Sequence, residues 1–165
     1  MSDDAAPMAE GDRLGRARQL VERYAAVSVA PALVPVPLVD LGLIFGVQLK
    51  LLHALAELYG VPFSQSRSTA LVASLVGGAF PVSLAMSVGR LLPGIGTVAG
   101  AATVGVMGGA STYAIGHVFV QHFESGGTFL SFDPEKVRAH YAALLAEGRA
   151  EVRASPEAPA RTRRP

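Results

Sequence analysis

The chain contains no cysteine and no tryptophan. The first absence excludes a disulfide framework and any thiolate metal site. Charge is scarce as well. Asp, Glu, Lys and Arg make up 16% of the 165 residues, against about a quarter in an ordinary soluble domain. Lysine is nearly missing, occurring only as Lys50 and Lys136. A phosphate-binding P-loop needs a lysine directly after its last glycine. These two follow Leu49 and Glu135, which excludes GTP or ATP binding of that kind. The opening MSDDAAPMAEGD is acidic and polar. It does not read as a signal peptide, which needs a basic start and an apolar run. The net charge of +1 says little about partners, and nucleic acid is not expected among them.

What is present is apolar and glycine-rich. Half of the residues are hydrophobic, and 18 are glycine. No charge occurs from Ser68 to Gly89, and after Arg90 the next acid is Glu124. Strand patterns are not found; the periodicity predicts an all-α chain of five helical segments. The first covers about Asp12 to Val29, where Leu14, Ala17, Leu20, Val21, Tyr24 and Val27 form one apolar stripe among arginines. Pro31, Pro35 and Pro37 then hold the chain extended or turned. The second segment runs from Pro37 to Tyr59 and is ended by Gly60. Ser64 is placed to cap the third, Gln65 to Leu91, with a kink or break expected near Gly77–Pro81. The fourth runs from about Ile95 to His122. Asp133 and Pro134 open the fifth as cap and first residue, with Glu135 at the positive end of the dipole. These segments predict a single helical domain over 12–153, with disordered ends at 1–11 and 154–165. Its centre is expected to be an apolar glycine-rich hairpin over about 65–122, flanked by amphipathic helices.

The stretch LLPGIGTVAGAATVGVMGG, Leu91 to Gly109, invites two readings. Gly94, Gly96 and Gly100 approximate a dinucleotide fingerprint. Such a loop should follow a strand and precede an acid by about 20 residues. Here Pro93 stands directly before the first glycine, and the region twenty residues on is IGHVFVQ. The helical reading uses every glycine. Gly96 and Gly100 are four apart, as are Gly105 and Gly109, and Gly108 lies eight from Gly100 and from Gly116. Four-residue spacing aligns residues on one face. Small residues there let two helix backbones approach closely. Glycine costs roughly 1 kcal/mol per position in an exposed helix, so these glycines are expected to face lipid or a tightly packed interior.

Other polar residues read as structural. Asp40 stands in an apolar run, where an acid could serve as a proton or ion site, but the first turn of a helix favours an acid in any case. His117 and His122 are five apart, whereas ligands on one helix face need three or four. Lys50, His53 and Glu57 form a solvated or ion-paired row. The hydroxyls of Ser111, Thr112 and Tyr113 are expected to bond to backbone. No Ser/His/Asp set with motif support occurs, so no enzyme, cofactor or metal is expected.

Three stretches carry a resemblance: PVPLVDLGLIFGVQLKLLHALAELYGVPFS, then RLLPGIGTVAGAATVGVMGGASTYAIGHVFVQHFESGG, then DPEKVRAHY. Together they resemble the bacterial domain of unknown function 697 over roughly Ala30 to Leu145. The motif residues are Pro35, Pro37 and Asp40, then Ala56, Tyr59 and Gly60, then Pro93, Gly94, Gly96 and Thr97. The resemblance implies a helical membrane domain that in some members follows an Era-like GTPase domain, and it transfers no catalytic residue. The expectation is thus a non-catalytic helical protein of the bacterial inner membrane with cytoplasmic termini. Its partners would be the lipid bilayer, with a GTPase in trans or a second copy through the glycine face. Each uncharged run is long enough to span a bilayer, which takes about 20 apolar residues. The rival expectation is a soluble or peripheral cytoplasmic bundle that serves as an interaction module, with the hairpin as its core.

Overall fold

The computed structural model describes residues 9–29, 39–77 and 97–154. They form five α-helices and, among the described residues, no strand. The helices are α1 (Glu10–Val27), α2 (Val39–Tyr59), α3 (Gln65–Gly77), α4 (Thr97–Glu124) and α5 (Pro134–Ala154). Helix α1 begins two residues before the expected start. The Ala9 carbonyl accepts from Asp12 and Arg13, and Glu10 and Asp12 place negative charge where the dipole favours it. Residues 10 and 11 are therefore helical rather than part of a disordered end, as is Ala154 at the other. The continuation of α3 to Leu91, with its break at Pro81, lies outside the described residues.

The helix ends follow local chemistry. After α2, Gly60 adopts φ +66°, and Val61 N–H donates to the Ala56 carbonyl at 2.8 Å. After α4, Gly126 does the same at φ +77°, with Gly127 N–H donating to the His122 carbonyl at 2.9 Å. Left-handed glycines of this kind close orphan carbonyls at helix ends. Asp133 Oδ1 accepts from the Glu135 amide at 3.1 Å, capping α5. Ser64 contributes its carbonyl to the first turn of α3, while its hydroxyl lies 3.3 Å from that of Ser66.

Helix α4 is the axis, and α1, α2, α3 and α5 all pack on it. Cross-links fix the directions. Gln48 bonds to Ser111 and Tyr59 to Glu124, so α2 runs parallel to α4. Arg13 meets Glu124 and Ser28 meets Thr112, so α1 is antiparallel. His140 bonds to Gln121 and Val152 lies against Gly109, so α5 is antiparallel too. The bundle thus has a head, where α1 and α5 begin and α2 and α4 end, and a base, where the directions reverse. The head is filled by aromatic rings: Phe119 stacks on Phe132 with centroids 4.3 Å apart, and Phe63, Phe123 and Phe129 surround them. Val21, Leu51, Leu55 and Ile115 fill the middle, all fully buried.

Candidate functional site

The glycines of α4 meet its neighbours. A methyl group at Gly116 would lie 2.6 Å from Val21 Cγ2 and 3.0 Å from Leu51 Cδ2. At Gly108 it would lie 2.7 Å from Ile44 Cδ1 and 2.9 Å from the Ser28 carbonyl. At Gly109 it would meet Val152, Val29 and the Ala25 carbonyl within 3.1 Å. Gly105 is buried. The surfaces these three positions meet belong to α1, α2 and α5. Helix α5 comes equally close from its own side: at Gly148 a methyl group would lie 2.9 Å from Tyr113 Cδ1 and 3.0 Å from the Ala110 carbonyl. Gly100 and Thr97 lie in the first turns of α4 and Asp40 in that of α2, with side-chain surroundings outside the described residues. Pro35, Pro37, Pro93, Gly94 and Gly96 lie wholly outside them.

Close approach brings hydroxyls together across helices. This corrects the expectation that Ser111, Thr112 and Tyr113 bond to backbone. Thr112 Oγ1 lies 2.8 Å from Ser28 Oγ, which also donates to the Tyr24 carbonyl. Ser111 Oγ accepts from Gln48 Nε2 at 3.1 Å and lies 3.1 Å from the Tyr141 hydroxyl. Tyr113 donates to Glu147 at 3.0 Å. The first two links are buried and join α4 to α1, α2 and α5. With glycines beside them, the neighbouring backbones stand near enough for short side chains to bridge. Ser28 carries no sign of this role in the sequence, Gln48 was not singled out there, and by spacing Tyr141 belongs only to the apolar face of the fifth helix. An uncharged amide inside LIFGVQLKLL was the available sign for Gln48.

The histidines are kept apart. His117 is half-buried beside the Tyr113 ring, and burial lowers its pKa. Burial, then the bond to Glu147, pushes the Tyr113 hydroxyl up to about 12. His122 holds the α4–α5 turn through the Thr128 carbonyl at 2.9 Å. His53 pairs with Glu57 at 3.2 Å, as the row on α2 suggested. At the head, Tyr59 donates to Glu124 under the Arg13 guanidinium, 5.0 Å from the ring centre. Burial and then that acid raise its pKa. Among the described residues no group of three His, Asp or Glu side chains is placed to hold a metal.

The two ends differ in polarity. The head carries Arg13–Glu124, Lys136–Asp133 and Arg138–Glu135. At the base, Val27 is 49% exposed and Leu43 45%, while Leu130, in the turn at the head, is 74% exposed; among the described residues nothing stands within 4 Å of a methyl group placed at Gly42 or Gly46. Helix α3 ends at Gly77, and α4 begins at Thr97 at the base. The sequence between, residues 78–96, carries one charge, Arg90. Among the described helices, α2 has one window, Gly42–Tyr59, long and apolar enough to cross a membrane, and a third of it is buried in the bundle. The same window carries Lys50, His53 and Glu57 on its outer face.

The family profile for the domain of unknown function DUF697 matches residues 1–148. The chain belongs to the DUF697 family. It is 38% identical over 159 residues to magnetosome membrane protein 22 of Magnetospirillum gryphiswaldense, an alignment covering 90% of this chain and 82% of that protein. No solved structure matches. The DUF697 match extends to the N-terminal side of the residues that carried the resemblance, so α1 belongs to the family unit.

Proposed function

We propose that this DUF697 protein is a non-catalytic, membrane-associated helical protein of bacteria, held to the bilayer by the base of its bundle. The observation that carries the reading is polar asymmetry. Arg13–Glu124, Lys136–Asp133 and Arg138–Glu135 lie at the head, where Leu130 is also exposed, while exposed Val27 and Leu43 and the start of α4 lie at the base. A bilayer is the medium that accepts such an end without cost, since apolar surface leaves water there. Similarity to a protein named for the magnetosome membrane supports the same reading. The glycine half of α4 enters this account as bundle interior from Gly105 onward, which limits the membrane part of the expected hairpin to its more N-terminal sequence. The address is the inner membrane with the head in the cytoplasm, or the magnetosome membrane in a host that forms one.

A GTPase in trans remains a candidate partner on family grounds alone. Self-association through the glycine face is restricted, because Gly108, Gly109 and Gly116 are already filled by α1, α2 and α5 of the same chain. The experiment is fractionation of cells expressing the full chain. The protein is expected to pellet with membranes and to resist carbonate and high salt. Recovery as a dispersed soluble monomer would overturn the proposal in favour of a soluble interaction module.

A further inference from the structure

Four residues of α5 stand in one row at four-residue spacing: Tyr141, Leu145, Arg149 and Arg153. The row descends from the core to the base. Tyr141 and Leu145 are buried, Arg149 is half-buried and Arg153 is exposed. Arg149 is unusual among the cations. Its Nε is buried without a hydrogen-bond acceptor among the described residues. Exposed arginines such as Arg67 stand where water can reach them. Arg13 has a buried Nε too, yet it stands against Glu124 and the Tyr59 ring. A buried guanidinium N–H left without an acceptor is costly. Glu147 bonds to Tyr113, and Glu22 and Glu151 act on the same hydroxyl. The charge of Arg149 is felt instead at Tyr141, in the polar link with Ser111 and Gln48.

We infer that Arg149 and Arg153 form a contact for anionic phospholipid headgroups at the base of the bundle. The inference rests on the membrane reading above and adds the lipid chemistry. One helical turn, about 6 Å, separates the two positions, a span that two guanidinium groups can close on one phosphate. Guanidinium forks match phosphate oxygens in pairs, and their aliphatic stems lie along apolar surface while the charged ends reach the interface. Val27 and Leu43 place that apolar surface at the same end. Arg153 also lies in the last turn of α5, where a cation offsets the helix dipole. That role would show in stability and not in lipid choice.

The test is flotation of the full chain with vesicles of phosphatidylcholine alone and of phosphatidylcholine with phosphatidylglycerol. The parent protein is expected to prefer the anionic vesicles. Each arginine near a charged surface contributes about fivefold in binding, so the double variant Arg149→Gln/Arg153→Gln should lose that preference by tenfold or more. It should keep its binding to phosphatidylcholine and its melting temperature within a few degrees. Arg149→Lys/Arg153→Lys should keep most of the preference, and Arg138→Gln at the head should keep all of it. Unchanged preference in the double glutamine variant overturns the inference, as does a preference that free inorganic phosphate abolishes. Binding to both vesicles with no charge preference overturns it alone. Binding to neither overturns the membrane reading as well.

Discussion

The glycine half of α4, from Gly105 to Gly109, and its phenylalanine half, from Val118 to Phe123, lie in one uninterrupted helix and solve packing in opposite ways. In the first, neighbouring backbones come so close that a methyl group at Gly108 or Gly109 would stand about 3 Å from a carbonyl oxygen. Short hydroxyls then bridge the helices. In the second, rings fill the interior, and Phe119 touches Phe123, Phe129 and Phe132. Side-chain volume grades from one end of the axis to the other. The lesson is that a bundle can be clamped by absence at one end and by bulk at the other, and the two clamps should fail differently.

The largest effect is expected at the bulky end. Phe119→Ala should cost about 3–5 kcal/mol, the usual range for a buried phenylalanine, measured by denaturant unfolding of the full chain. A loss below about 1 kcal/mol would mean that the aromatic cluster is not a core. At the glycine end the opposite change should hurt. Gly109→Leu should cost about 1–3 kcal/mol or more through overpacking, because the Ala25 carbonyl and Val152 cannot both retreat. Met107→Leu is the control, and equal melting of both variants with the parent would remove the clamp from the comparison.

These two positions show what the sequence could and could not tell. The spacing of glycines suggested a close-packing face, and Gly60, Asp133 and Pro134 marked helix ends by their own chemistry. Spacing names a face but not its occupant. The uncharged runs suggested that α3 and α4 would clasp each other, yet α1, α2 and α5 fill Gly108, Gly109 and Gly116. Hydroxyl partners were equally out of reach, because the link between Ser28 and Thr112 joins residues 84 apart in the chain. Such a pairing exists only once the backbones are near. The apolar base of the candidate site was visible as missing charge, whereas Arg149 stood out only when its burial was known.

Smaller effects sharpen the contrast. Ser111→Ala removes the acceptor of the buried Gln48 amide and a partner of Tyr141, and should cost about 1–3 kcal/mol. Tyr113→Phe, a half-exposed link, should cost less under the same assay. Gly46→Ala should stabilise by about 0.4–1 kcal/mol, since open space surrounds that position among the described residues. A destabilised Gly46→Ala would show that the outer face of α2 is covered as tightly as α4. The smallest effect concerns His117. Its pKa in the fold lies below the ordinary value of 6.5 because burial disfavours the charged ring. The unfolded chain therefore binds the proton more readily, and stability rises with pH. It should be complete above pH about 6.5 and decline as acid carries the pH down through the folded value. His117→Gln should flatten that part of the melting-temperature profile; an unchanged slope would assign it to other groups.

The opposed directions of α1 and α5 also act as a ruler. Helix α1 begins at the head and α5 ends at the base, so the two ends of the described bundle are separated by its long dimension. The 18 residues of α1 alone measure about 27 Å at 1.5 Å per residue. Anything joined ahead of α1 is carried at that stand-off from whatever the base touches. Anything joined after α5 starts its path in contact with it. An appended enzyme domain or fluorescent tag would thus report on different neighbourhoods depending on which end bears it, and the same protein could hold one cargo clear of a surface while pressing another against it.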